Sequence, residues 1–283
     1  MYKERIMRVF FKLNRKLAFR LEILKDYANS GLFEVNTVFL IKMFLDSKFR
    51  NWAYRTYERT LRDTIFEKYG VKFADGTSAG SLREIYFEKI YSQFSDFEPE
   101  RNGVVIDVGA HHGDFTFYCA VVKHCSKVYS IEPIKGNYEL ILRNILENRC
   151  EDKVVAIHGA ASDHNGKINI EINGDMAIAT SKISEMLVNC YRIDSLINDS
   201  VDILKIDTEG FELQVLVGAE QTIKKHQPRI ILETHSKVLK ESCDAFLQSL
   251  GYELAHEGSI VQAHIPSMDN VQNLFFKPQP NVK

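Results

Sequence analysis

Residues 104–113 read VVIDVGAHHG. An apolar, β-branched run ends in the acid Asp107. Gly109 then makes an elbow, and Gly113 opens the next segment. A buried parallel strand that stops at a tight turn beneath a small-molecule ligand has this pattern. Downstream, apolar runs alternate with helical stretches: Val104–Val108 then Phe115–Lys123, Val128–Glu132 then Asn137–Asn148, Val154–Ala160, Asp202–Asp207 then Glu212–Lys225, and Arg229–Glu233 then Val238–Leu250. This repetition predicts an α/β fold, a Rossmann-like parallel sheet with helices on both faces. Lys167–Ile172 and Lys182–Ile197 insert extra elements, read as strands, between the third and fourth. Tyr252–Ala255 and Asn273–Lys277 supply an antiparallel pair at the sheet edge.

Upstream the pattern is helical, and the boundary falls near residue 100. We read residues 1–99 as a helical N-terminal region and 100–283 as the catalytic domain. Ile6, Phe10, Leu13, Leu17, Leu21 and Leu24 recur at helical spacing. Met1–Arg20 carries seven Lys and Arg against the single acid Glu4. A basic amphipathic helix either packs on a protein body with a solvated polar face or lies on a membrane surface, so residues 1–24 are the candidate for peripheral membrane contact. Further helices are expected from about Leu40 to Lys68 and over Leu82–Phe94.

The totals describe an ordinary soluble chain: 283 residues, 45% hydrophobic and 26% charged, with a net charge of -2. That charge gives no reason to expect a nucleic-acid partner. Five cysteines without a CxxC pair suggest reduced, buried thiols in a cytoplasmic protein. No apolar stretch reaches the ~20 residues needed to span a bilayer.

The elbow discriminates between nucleotide ligands. Dinucleotide folds use GxGxxG to seat a pyrophosphate on a helix N-terminus. Here Ala110-His111-His112 separate the two glycines, and Asp107 at the strand end would repel a pyrophosphate. A nicotinamide-dependent oxidoreductase is therefore disfavoured. A ligand with an amino or cationic group and no phosphate suits the site, and S-adenosylmethionine is such a ligand. Glu132 ends the second strand nineteen residues after Gly113, where a carboxylate can accept both ribose hydroxyl protons.

The fourth strand, VDILKIDTEGFE over Val201–Glu212, places Ile203, Lys205 and Asp207 on one side by alternation. Charges at a sheet centre are costly unless satisfied, so they mark either a structural ion pair or a site. Asp207 lies at the strand's carboxyl end, beside the elbow if this strand neighbours the first.

Together VVIDVGAHHG, Ile131-Glu132-Pro133, KIDTEGFE and PRIILET (Pro228–Thr234) resemble the FkbM-type family of S-adenosylmethionine-dependent methyltransferases. The resemblance implies a seven-stranded class I methyltransferase sheet with one antiparallel strand. It also implies O-methylation, often of sugar or polyketide hydroxyls. Asp107, Gly109 and Gly113 would contact the methionine part, Glu132 the ribose, and Asp207 would stand near the transferred methyl. The family commonly has Asn where this chain has His111. The adenine partner is open between Asp163 and a backbone amide near Ala161.

Methyl transfer to a hydroxyl needs collinear alignment and either a base or a metal to draw off the proton. Asp207 is the first candidate base, followed by His235 as a neutral imidazole, with Glu209 and Glu233 nearby. A divalent ion held by Asp207 and Glu233 has two sequence-distant acids in its favour and nothing more. His111-His112 is a poor zinc pair, because adjacent residues rarely share one ion. The expected acceptor is a small molecule or glycan. The alternative is a catalytically inactive binding protein of the same fold, recruited to a partner or membrane through its N-terminal helices.

Overall fold

In the computed structural model β1 (Val104–Val108) runs between two parallel neighbours, pairing Val108 with Ile131 of β2 (Lys127–Glu132) and with Ile206 of β8 (Ile203–Ile206). The structure describes residues 46–173, 176–179, 186–258 and 271–280, together with Lys42. The amphipathic helix read over residues 6–24 lies outside them, as do residues 182–185 of the inserted stretch.

The main sheet has seven strands in the order β10-β11-β9-β8-β1-β2-β3. Its remaining members are β3 (Val154–His158), β9 (Arg229–Thr234), β10 (Tyr252–Glu257) and β11 (Gln272–Pro278). β11 is antiparallel to both β9 and β10, so the sheet carries one reversed strand. The tail strands form the pair expected at this edge. Strand order reverses between β1 and β8, and a crevice at the carboxyl ends of such strands is where open α/β sheets bind ligands. Helices connect the strands: α3 (Asp114–Phe117) continued by a π-turn to Val122, α4 (Lys135–Asn148), α6 (Glu212–Gly218), α7 (Glu220–His226) and α8 (Lys237–Ser249). Before β1 come α1 (Ser47–Tyr69) and α2 (Ala79–Arg83); a short α5 (Ile193–Leu196) precedes β8. The core gathers Ile106, Val108, Ile131, Leu204, Ile206, Ile230 and Leu232 from the strands and Val215, Leu216, Ile223 and Leu247 from the helices. Continuous burial on β8 is the mark of a strand covered on both faces.

Three segments differ from the sequence reading, each for a steric reason. Val154–Ala160 is not one strand. A Cβ on Gly159 would lie 2.7 Å from the Tyr191 ring and 2.9 Å from the Asn189 carbonyl, so another strand crosses there. Ala160–Ala161 (β4) leaves the main sheet to pair with β7 (Met186–Tyr191), in a second sheet ordered β4-β7-β5-β6 with β5 (Gly166–Asn173) and β6 (Met176–Ala179). Glu212–Lys225 breaks into α6 and α7 around Ala219. A Cβ on the neighbouring Gly218 would meet the Ser162 carbonyl at 1.9 Å. Leu82–Phe94 is not one helix either. α2 passes into a π-turn, Glu84–Glu88, and stops at Lys89 in the left-handed conformation. That stop frees Tyr91 to point elsewhere.

The chain divides into two compact units, Met1–Leu61 with Gln262–Asp269, and Arg62–Val261 with Asn270–Lys283. All site residues described below belong to the second. All five cysteines are buried and unbridged. Among the described residues no helix is long and apolar enough to cross a membrane.

Candidate active site

The elbow brings β1 and β8 into main-chain contact. Gly109 has φ of 71°, and a Cβ there would lie 1.7 Å from the carbonyl oxygen of Asp207. Lys205 Nζ donates to the Gly109 carbonyl at 2.9 Å. Gly113, with φ of 84°, is required by packing as well, since a Cβ would meet the Phe117 ring at 2.6 Å. Both glycines are thus demanded by the fold before any ligand is considered.

Asp107 is fully buried. Its Oδ1 pairs with Lys205 Nζ at 3.0 Å, and its Oδ2 accepts from the Thr116 hydroxyl at 2.7 Å. Burial alone would lower the Lys205 pKa, but Asp107 and then Asp207 outweigh it and hold the ammonium above its ordinary value. The closer partner of Lys205 is therefore Asp107, with Asp207 at 3.9 Å.

At the end of β2, Glu132 is 4% exposed. Its Oε2 accepts from the His111 backbone N–H at 2.9 Å; its Oε1 accepts from the Ile134 N–H at 2.9 Å and the Asn137 amide at 3.3 Å. Burial pushes its pKa up to about 7, and these donors pull against it. His111 donates from a left-handed backbone, φ 52°. Asn and His are among the side chains that tolerate this region best, so His can stand where the family resemblance leads one to expect Asn. The rings of His111 and His112 stack, with centroids 3.7 Å apart. His112 Nδ1 accepts from the Ser78 N–H at 3.0 Å, which leaves Nε2 to donate to Asn137 Oδ1 at 3.1 Å. With both nitrogens engaged, His112 is a poor metal ligand, although His111, His112 and Asp114 lie close enough to form a cluster.

Across the crevice the carboxyl ends of β8 and β9 carry a dense charged group. Tyr91 Oη lies 2.9 Å from Asp207 Oδ2 and 3.0 Å from Glu233 Oε2, donating its proton toward both. His235 Nδ1 is 2.9 Å from Glu212 Oε1. Its Nε2 faces Glu209 at 3.4 Å, Glu233 at 3.7 Å and Asp207 at 3.8 Å. Burial opposes the charge on His235, but the Glu212 bond and the charges of Asp207 and Glu209 raise its pKa to about 10. These acids favour the protonated ring, which bears on its reading as a neutral general base. Burial and the nearby Asp207 carboxylate push Glu233 well up from the ordinary carboxylate range. Burial also raises Glu209, against the pull of His235. Burial, then Asp207 and Glu233, raise the Tyr91 phenol far above its usual value.

The structure brings Asp207, Glu209, Glu233 and His235 into this one cluster, beside the elbow that holds Gly109. Glu132 lies on the other side of β1. Ala161 is buried in β4, next to Ser162, whose N–H donates to the Tyr191 carbonyl. Asp163 is half-exposed and bonded to His164 Nδ1 at 2.6 Å, which lowers its pKa. Sequence reasoning missed Tyr91, Asn137 and Thr116. Tyr91 sits in a region with no strand-end signal. Glu212 carried one, the first turn of a helix, but that position favours acids anyway.

Residues 107–254 match the FkbM methyltransferase domain family. The hexuronic acid methyltransferase AglP of Haloferax volcanii is 26% identical over 148 residues, covering 50% of this chain and 59% of that protein. This chain thus aligns with about six-tenths of that relative's length. A Methyltransferase FkbM crystal structure from Methylobacillus flagellatus KT aligns over 69% of this chain and 47% of its own, at 22% identity and a TM-score of 0.49. The METTL16 methyltransferase domain aligns over 80% of each chain at 10% identity with a TM-score of 0.50, a likeness of fold. With the family match spanning half of the sequence and both diagnostic strand ends, the chain belongs to the FkbM methyltransferase family.

Proposed function

We propose that this protein transfers a methyl group from S-adenosylmethionine to a hydroxyl of a sugar-type acceptor, free or within a glycan or glycolipid. The observation that carries the reading is the pairing, across one strand-end crevice, of a buried ribose-type acid with a charged cluster suited to an oxygen nucleophile. The cofactor's residues fit on a count of lone pairs. A carboxylate offers about four acceptor positions, and Glu132 Oε2 accepts a bond from His111, leaving one direction for a ribose hydroxyl. When bound, the sulfonium supplies an electrophilic methyl group. In this reading Asp107 acts through Lys205, which fixes the Gly109 carbonyl and thereby the elbow. The backbone about Gly109 and Gly113 borders the methionine part, and the amides near Ala161 border the adenine.

On the acceptor side Asp207 receives the hydroxyl proton. Tyr91 and His235 hold Asp207 in place and keep its charge tolerable; Glu209 and Glu233 flank it. AglP, by its name, acts on hexuronic acid, and this supports a sugar-class acceptor. The catalytic domain in this reading is residues 100–283, with Tyr91 reaching in from the preceding region. A cytoplasmic setting with peripheral membrane contact through residues 1–24 suits a glycolipid acceptor.

Two measurements test this. Calorimetry should show S-adenosylhomocysteine binding and no NAD binding. Labelled-methyl transfer to a panel of sugars, glycolipids and simple alcohols should label the sugar class. NAD binding without S-adenosylhomocysteine binding would overturn the reading.

A further inference from the structure

The cluster at the ends of β8 and β9 has more negative charge than its own cations answer. Asp207, Glu209, Glu212 and Glu233 surround the one ring of His235. Lys205 is paired to Asp107 at 3.0 Å and stands farther from Asp207. Tyr91 has one proton for two carboxylates. Such crowding in a partly buried place is relieved when another positive charge enters.

The geometry says what kind of charge. One ligand atom each from Asp207, Glu233 and His235 all lie within 4.8 Å of one another. The distances from His235 Nε2 to Glu233 Oε1 and Asp207 Oδ1 are 3.7 and 3.8 Å. Three ligand atoms this close together can share one small cation. An independent feature beneath the cluster points the same way. Glu212 is fully buried, with Oε1 on His235 Nδ1 and Oε2 without a hydrogen-bond partner. A carboxylate on the far nitrogen of a histidine fixes the ring so that the near nitrogen faces a metal, the usual outer support of a metal ligand.

We propose that Asp207, Glu233 and His235 form a binding site for a divalent cation of the Mg²⁺/Mn²⁺ class, with Glu212 orienting His235 from behind. Two carboxylates and one imidazole are a mainly oxygen donor set, which suits these ions; His235 gives up its Nε2 proton to solvent as the ion takes its place. The role of the ion rests on the proposed methyl transfer. The ion would hold and acidify an acceptor hydroxyl, and with Asp207 then engaged as a ligand, Glu209, outside the trio, would take the proton in its place. Binding of the ion itself does not depend on that role.

The test is a Mn²⁺ titration of the full chain, followed by the electron paramagnetic resonance of free Mn²⁺, with S-adenosylhomocysteine affinity measured in parallel. One Mn²⁺ should bind with a Kd below about 1 mM, as ordinary for carboxylate-rich sites. Mg²⁺ should compete. Glu233→Gln and His235→Gln should each weaken Mn²⁺ at least tenfold while changing S-adenosylhomocysteine affinity less than twofold. Should either variant fail to fold, paramagnetic broadening of the His235 ring signals in the wild-type chain gives the same answer. No Mn²⁺ binding at 1 mM, binding unaltered by both variants, or His235 signals untouched by Mn²⁺ would each overturn the site. Mn²⁺ binding without methyl transfer would sink the proposed function and leave the site standing. Metal-independent transfer in a chain that binds no Mn²⁺ would do the reverse.

Discussion

On the β2 side of the crevice a single carboxyl, Glu132, is met by three neutral N–H donors. On the β8–β9 side four carboxyls meet one imidazole and one phenol. Both are carboxyl sites near strand ends, one buried and one partly exposed, and they are compensated differently. Neutral donors stabilise a carboxylate enough to present it to hydroxyls, and they leave its pKa near neutrality. The charged cluster cannot be described one residue at a time, because each group sets the state of the next. Buried polar networks behave in this coupled way, and they are where small changes have large effects. In the proposed reading the first region recognises the methyl donor and the second carries the reaction.

The largest expected effect breaks the comparison by removing the contact that joins the two sides. Gly109→Ala puts a Cβ 1.7 Å from the Asp207 carbonyl in a left-handed backbone. Strain and overpacking together should cost about 4 kcal/mol, read from the urea midpoint. A native-like midpoint would mean that β1 and β8 can separate at no cost. Next, Asp207→Asn should reduce turnover by about 10²–10⁴ with S-adenosylhomocysteine affinity within twofold, because it touches the reacting side alone. Equal losses in both would merge the two regions.

Glu132→Gln sharpens the recognition side through pH. The folded value of about 7 lies above the ordinary 4.5, so the wild-type chain should lose stability as pH rises from 4.5 through 7. The loss should reach up to roughly 3 kcal/mol, and the variant should not show it. Urea midpoints at pH 5 and pH 8 would display the difference, with the variant the more stable at pH 8. S-adenosylhomocysteine affinity should fall in the same variant. The smallest effect is Tyr91→Phe: about tenfold lower turnover, from one charge-assisted hydrogen bond, with cofactor affinity unchanged. A larger loss of cofactor affinity than of turnover would place Tyr91 on the other side.

Much of this was legible because strand periodicity and strand-end residues are local signals. The run Val104–Val108, the elbow, Glu132, and the position of Asp207 beside the first strand all follow from spacing and from the rule for open α/β sheets. What was hidden depends on contacts far apart in sequence. Tyr91 reaches Asp207 across more than a hundred residues, and only because Lys89 ends the preceding turn in a left-handed conformation. Gly159 breaks a strand because Tyr191 passes over it. The raised pKa of His235 cannot be read from its own neighbours in sequence, since it comes from Glu212 in α6 and from Asp207 and Glu209 just past β8. The pairing of Lys205 with Asp107 rather than Asp207 is a register effect between β1 and β8, where the two residues are partners.

The contact between Gly109 and the Asp207 carbonyl also bears on manufacturing tolerance, so to speak. The separation between donor pocket and acceptor cluster is fixed there by two peptide groups touching, with no rotatable side chain between them. Rotamer changes, which commonly shift a site by an ångström, cannot alter that spacing. In the proposed reading, acceptor preference can therefore drift through Tyr91 or Glu233 while the spacing of the two strand ends stays fixed.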